Sequence, residues 1–234
     1  MRFVAALLAL FGALVALPAT AQIIDNPVPG RATPPQTTDT ANLWVLDLST
    51  GGRVVIWLRP DVAPNMVERI KTLTRQKFYD GLLFHRVIEG FMAQGGDPKG
   101  NGTGGSELPD LTQEFNYLPH VRGAVSAARE GAPEGADAAA KTKADNSANS
   151  QFFIMLAPRL MLDGKYTVFG RVLEGMAFVD AIPRGEPPAN PARVLHAWIA
   201  SDNPPPYVAP APTVSTLPPG EAEVTLSGSV PPKK

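Results

Sequence analysis

FHRVIEGFMAQGGDPKGNGTGG, from Phe84 to Gly105, and NSANSQFFIMLAPRLMLDGKYTVFGRVLEGM, from Asn146 to Met176, are the most informative stretches of this chain. Both consist of short apolar pieces cut by glycine, which is the spacing of a β-rich domain. For chemistry they offer Arg86 in an apolar setting, glutamine, and several large apolar side chains. No nucleophile with a base beside it is evident. GNGTGG, Gly100 to Gly105, has the look of a phosphate cradle, but no P-loop lysine follows it and no dinucleotide fingerprint fits its flanks. A loop between strands is the better reading. His85, His120 and His196 stand singly, without a second ligand at metal spacing. Asp163, Gly164 and Lys165 read as a turn with no chemistry of its own.

On the N-terminal side, NLWVLDLSTGGRVVIWL, from Asn42 to Leu58, gives two strongly β-prone segments around Ser49, Thr50, Gly51 and Gly52, the pattern of a hairpin. Both faces are largely apolar, which suits a small closed barrel with a packed interior and helices covering part of its outside. After Pro60, Met66, Val67, Ile70 and Leu73 recur at three- and four-residue spacing, while Glu68, Arg69, Lys71 and Arg75 face away. That periodicity predicts an amphipathic helix, with Pro64 tolerable in its first turn. A second short helix is expected at EGMAFVDAI, where Met176 and Val179 share a face and Pro183 follows. The last segment resembling a strand is RVLHAWIA, Arg193 to Ala200.

The 234 residues leave room for one domain of ordinary size plus tails. With 21 basic against 22 acidic residues the formal charge is -1, so the chain lacks the basic field that nucleic-acid binding requires, and no DNA or RNA partner is expected. Residues 1–21 read as a signal peptide: Arg2, an apolar run from Phe3 to Leu17, and the small-x-small triplet Ala19, Thr20, Ala21, with cleavage before Gln22. An uncleaved membrane anchor is the rival, but roughly 15 apolar residues fall short of the ~20 that span a bilayer core. The absence of cysteine excludes an acyl anchor, disulfides and thiol catalysis. The product is expected to be exported, without stable membrane insertion after cleavage, and periplasmic if the source is Gram-negative. Residues 22–39 form a flexible Pro- and Thr-rich leader, 40–203 the folded domain, and 204–234 a Pro-rich tail expected to be disordered. The tail also reads as a spacer, or as polyproline segments that bind a partner. With no coiled-coil heptads to announce an interface, a monomer is the default.

The two glycine-cut stretches resemble the cyclophilin family of peptidyl-prolyl cis-trans isomerases, a resemblance that runs from residue 40 to residue 202. It implies a mainly β fold, an eight-stranded antiparallel barrel capped by two α-helices. It also implies an enzyme that rotates Xaa-Pro bonds, with proline-containing polypeptides among exported proteins as its partners. Such a rotation breaks no covalent bond and calls for no cofactor and no metal. It needs a dry pocket for the proline ring and a donor for the nitrogen lone pair once resonance is lost. Carried over residue by residue, Arg86 in FHRVI matches the catalytic arginine, Phe91, Met92 and Phe153 the proline pocket, and Gln94 the glutamine that hydrogen-bonds substrate and helps hold the arginine. Ile88, Ala128, Gln151 and Leu162 take groove positions, and Gly102 lies in the glycine-rich loop beside them. The alternative is an Xaa-Pro binding module or chaperone scaffold whose isomerase activity is incidental.

Met161 stands where eukaryotic members carry tryptophan, Tyr166 where they carry histidine, and Arg129 where they carry a groove asparagine used mainly through its backbone. Residues 130–145, EGAPEGADAAAKTKAD, form an insertion between two segments that border the groove. Long insertions cost little entropy, and substrate selection, partner docking and a tolerated surface loop all stay open for it. Methionine keeps an apolar wall but donates no hydrogen bond, and the family tryptophan is an important cyclosporin contact. Weak cyclosporin binding with retained isomerase activity is therefore expected. An inhibition titration checks this, and nanomolar inhibition would overturn it.

Overall fold

The structure, a computed structural model, describes residues 39–209. The expected signal peptide, residues 22–38 of the expected leader and residues 210–234 of the expected tail lie outside the described residues.

Leu43–Leu48 (β1) and Gly52–Leu58 (β2) form the predicted hairpin, paired from Leu43↔Trp57 to Leu48↔Gly52. Gly51 turns the chain at φ 105°, a left-handed conformation that glycine adopts without a Cβ penalty. Six further strands follow: Arg86–Ile88 (β3), Met92–Gly95 (β4), Ala124–Ala127 (β5), Phe152–Met155 (β6), Val168–Glu174 (β7) and Val194–Ile199 (β8). All neighbours are antiparallel, in the order β3-β4-β6-β5-β7-β2-β1-β8. The two edges meet where Leu83 bridges Arg193. There Phe84 N donates to the Ala192 carbonyl (2.9 Å) and Val194 N to that of Leu82 (2.9 Å), which curls the sheet into an eight-stranded barrel. Register shifts at Asp47/Leu48, Val55/Ile56 and Val125/Ser126 bend the strands as bulges do.

Inside, Trp44, Tyr79, Phe84 and Phe152 are fully buried and meet edge to face, Trp44 lying 5.3 Å from Tyr79 and 4.9 Å from Phe152. Leu46, Leu48, Val54, Ile56 and Leu58 of the hairpin complete this core from the other side.

Pro64–Arg75 (α1) buries Met66, Val67, Ile70 and Leu73, the predicted face. Glu114 caps it from a distance, its carboxylate accepting from Asn65 N and Met66 N at 2.9 Å, a favourable charge at the positive end of a helix. Arg69, expected to face away, is instead buried. Its guanidinium donates to the Pro109 carbonyl (2.6 Å) and the Asn149 carbonyl (3.5 Å), and those acceptors offset the penalty of taking a charge out of water. Beyond the two expected helices there is a third, Ala138–Asp145 (α2), inside the insertion. Asp137 caps it by accepting from Ala140 N (2.8 Å), and its alanines favour the helical backbone. The second expected helix, Met176–Asp180 (α3), buries Val179. Past Asn203, the Pro205 carbonyl accepts from Arg53 (2.6 Å) and the Tyr207 hydroxyl donates to the Leu48 carbonyl (3.1 Å), so these residues lie across the first hairpin.

The insertion closes on itself. Glu130 N donates to Ser147 Oγ (2.7 Å), which donates in turn to the Ala144 carbonyl (2.7 Å), and of the inserted helix only Ala144 is buried. Replacing residues 132–143 with a short glycine link should therefore leave the midpoint of thermal unfolding within about 4 °C of the parent. Scanning calorimetry checks this, and a larger drop would make the insertion part of the barrel's support.

Candidate active site

Strand β4 is the middle of the site, since it pairs with β3 along one edge and with β6 along the other. Arg86, Gln94 and Phe153 are direct partners across the three strands, and Ile88, Met92 and Met155 form a second row two residues along. Side chains alternate along a strand, so both rows stand on one face while Val87, Ala93 and Ile154 stand on the other. Those three belong to the barrel core. Met92, Phe153 and Met155 instead form a separate apolar cluster outside it, with Ala124, Ala128 and Val168.

On that outer cluster lies a cavity of about 120 Å³, with Phe91, Met92, Phe153, Leu162 and Tyr166 as apolar walls and Arg86, Gln94, Ala128 and Arg129 completing it. That is room on the scale of one small ring. Phe153 is held flat against His120 (6.1 Å, 18°) and edge-on to Tyr166 (5.6 Å, 84°). His120 is itself fully buried, with Nδ1 2.8 Å from Asp163 Oδ1, which also accepts from His120 N. The Asp163 turn thus braces the ring beneath the cavity. The Arg129 side chain makes contacts of its own: the guanidinium lies 4.6 Å over Tyr166, donates to the Lys165 carbonyl (3.2 and 3.1 Å) and pairs with Asp145 at the end of α2 (3.2 Å).

A larger cavity of about 500 Å³ adjoins the first and shares Gln94, Ala128 and Arg129 with it. Gly102, Gln151, the loop through Ser106, Asp110, Glu130, Ser147 and Asn149 line the remainder. Two predicted site residues line neither cavity. Ile88 packs against the outer apolar cluster, and Met161, on the short turn Leu160–Leu162, is 67% exposed.

Polar groups run in one hydrogen-bonded line past both cavities. Arg86 Nη1 donates to Gln94 Oε1 (3.5 Å), Gln94 Nε2 to Gln151 Oε1 (2.9 Å), and Gln151 Nε2 to the carbonyls of Gly102 (3.1 Å) and Gly104 (2.7 Å). Asp97 anchors this loop by accepting from the backbone N–H groups of Lys99 (2.7 Å), Asn101 (3.0 Å) and Gly102 (2.6 Å). Burial pushes its carboxyl up, but the N–H groups of Lys99, Gly102, Asn101 and Gly104 outweigh that and hold it below the usual carboxylate range. A Cβ at Gly104 would fall 2.0 Å from Asp97 Oδ1, so the loop closes only around glycine. At the far end of the line, Arg86 Nε donates to Glu186 Oε2 at 2.6 Å.

Sequence reasoning misses Asp97, His120 and Glu186. Asp97 does leave a signal, an aspartate leading a glycine-rich loop, which is the setting in which carboxylates bind nearby backbone N–H groups. Glu186 leaves none, standing 100 residues from its partner.

Residues 45–198 match the family described as cyclophilin type peptidyl-prolyl cis-trans isomerase/CLD. A probable peptidyl-prolyl cis-trans isomerase of Brucella suis is 44% identical over 180 residues, 70% of this chain and 85% of that protein. Peptidyl-prolyl cis-trans isomerase B of Bacillus subtilis is 39% identical over 140 residues, 59% of this chain and 89% of that protein. Among solved structures, cyclophilin AquaCyp293 from Hirschia baltica superposes with a TM-score of 0.60 at 30% identity, covering 71% of this chain and 77% of its own. A Cryptosporidium parvum cyclophilin, solved in the presence of the dipeptide Ala-Pro, shares the fold with a TM-score of 0.58 at 24% identity, covering 67% and 98%.

The two buried histidines beside the site make stability depend on pH. Burial holds the imidazoles of His85 and His120 below their ordinary pKa of 6.5, against the opposing pull of Asp97 and Asp163 respectively. Below that pH the unfolded chain takes up protons that the folded chain refuses, so this stabilisation is complete above pH 6.5 and declines as acid is added. Urea midpoints should fall between about pH 7.5 and about pH 5.5, and His120→Gln should reduce the fall. An unchanged pH dependence in the variant would remove His120 as a source.

Proposed function

The chain belongs to the cyclophilin family of peptidyl-prolyl cis-trans isomerases, and on that footing we propose that Arg86 and the adjoining apolar cavity turn Xaa-Pro bonds in exported polypeptides. A peptide bond resists rotation by about 18–20 kcal/mol because the nitrogen lone pair is delocalised into the carbonyl. The enzyme has only to favour the twisted amide, in which the lone pair returns to nitrogen. The proline ring sits between Phe91, Met92, Phe153 and Leu162, with Tyr166 closing one side. At the polar edge of the same cavity, the Arg86 guanidinium donates to the prolyl nitrogen. That bond has no counterpart in the planar ground state and therefore lowers the barrier.

Gln94 steadies Arg86, and with Gln151, Gly102, Ala128 and Arg129 it borders the larger cavity, along which the residues before the proline run. Ile88 and Met161 serve as outlying apolar contacts. The observation that carries this reading is the shared register row of Arg86, Gln94 and Phe153, by which a cationic donor and an apolar cavity fall side by side. An Ala-Pro dipeptide accompanying a protein of the same fold supports proline-containing peptides as the ligand class. The apolar run from Phe3 to Leu17 followed by Ala19 and Ala21 supports export, to the periplasm if the source is Gram-negative, with exported polypeptides as clients.

Isomerisation of an Xaa-Pro peptide by residues 22–234 should lose about 10²- to 10³-fold in kcat/KM on Arg86→Ala, the scale of removing one preorganised donor. Equal activity in the variant would take Arg86 out of the reaction. It would favour the binding-module reading, in which the groove captures Xaa-Pro segments and rotation is incidental.

A further inference from the structure

We infer that Glu186 is a positioning residue for the isomerisation: it grips the Nε edge of the Arg86 guanidinium so that the free donors face the prolyl nitrogen. This rests on Arg86 being the donor to that nitrogen.

The placement of Glu186 follows from the backbone. Val87 and Gly185 exchange both of their N–H···O bonds, each at 2.8 Å, an antiparallel bridge that pins the chain at Gly185 to the free edge of β3. Glu186 follows directly on this isolated bridge, at the start of the turn to Pro188, which leaves its carboxylate beside Arg86. The turn that brings the chain here admits no side chain at 185. Gly185 has φ 148°, and a Cβ would lie 2.5 Å from Pro188 Cα and 2.7 Å from the Pro187 carbonyl oxygen. Arg184 pins the same turn from its other end, donating to Glu89 (2.7 Å) and to the Asp180 carbonyl (2.8 Å).

A guanidinium is a rigid planar fork of five N–H donors on a flexible stem, so two fixed contacts on the fork set its plane. Glu186 takes Nε at 2.6 Å and Gln94 takes Nη1 at 3.5 Å, while among the described residues Nη2 donates to nothing. A carboxylate this close also weakens the cation's field at the substrate. Both side chains are substantially exposed, 39% for Arg86 and 51% for Glu186, so water screens that charge effect more than it disturbs the short directional bond. Alignment therefore outweighs neutralisation.

The test uses the full chain, an Xaa-Pro peptide, and the variants Glu186→Ala, Glu186→Gln and Arg86→Ala. Glu186→Ala should lower kcat about tenfold while KM moves less than about twofold, as expected when a reacting group is misaligned rather than removed. Glu186→Gln, which keeps an acceptor oxygen, should retain most of the rate. In the Arg86→Ala background, Glu186→Ala should cause no further loss, because its effect passes through the arginine. Calorimetric binding of the peptide is the control: a Glu186→Ala protein that binds like the parent but turns over slowly is the expected result, and one whose binding falls as far as its rate overturns the inference. It is equally overturned by a faster Glu186→Ala enzyme, which would make Glu186 a brake, or by an undiminished loss in the Arg86→Ala background. If Arg86→Ala alone keeps the full rate, the assignment of Arg86 fails instead.

Discussion

A strand shows its side chains to opposite faces in turn, and β4 is paired along both edges, to β3 and to β6. One residue of slip at either edge would carry Arg86 or Phe153 to the wrong face and bring core residues out in their place. Burial resists the slip. Val87, Ala93, Phe152 and Ile154 are at most 1% exposed, and exposing a side chain such as Phe152 or Ile154 would cost about 1.5–3 kcal/mol each. No contact in the shallow outer groove competes with a penalty of that size. The core therefore specifies the register, and the register specifies the site, although Val87, Ala93, Phe152 and Ile154 line neither cavity.

The polar line from Asp97 through Gln151 and Gln94 to Arg86 and Glu186 acts on top of that frame. Exposed ion pairs such as Arg86–Glu186 add at most about 1 kcal/mol to stability. Their effect lies in direction: each member fixes the orientation of the next, and the arginine is held at two points. Asp97 does the corresponding work for the glycine-rich loop, where converging backbone N–H groups stabilise one buried carboxylate and so fix the wall that Gln151 leans on.

What was legible in the sequence was what leaves a periodic or motif-level trace. The β1–β2 hairpin is announced by β-prone runs around Gly51 and Gly52, and α1 by Met66, Val67, Ile70 and Leu73. Arg86, Phe91, Met92 and Gln94, with Phe153 and Leu162, come to the cavity as the family resemblance implies. Arg69 escapes periodicity, which assigns a charged residue to the wet face, and nothing local reveals that the Pro109 and Asn149 carbonyls, from two distant connections, will receive it. The helix α2 lacks an apolar stripe, so its only cues are alanine content and the capping Asp137. Arg129 carries no sign that its main acceptor is the Lys165 carbonyl, a backbone atom brought near by the barrel's closure. Glu186 is invisible for the same reason, since its neighbour is set by an irregular bridge far along the chain.

Phe152 and Phe153 are adjacent in sequence and of one chemical type, yet the first lies at the centre of the barrel and the second at the floor of the groove. Along β6, then, successive positions answer to different selective demands, one for keeping the barrel folded and the next for what the groove accepts. Substitutions at Phe153 act on the groove and on the outer apolar cluster, while those at Phe152 act on the barrel core. A barrel that carries its site on the outside can thus change its clientele while keeping its architecture.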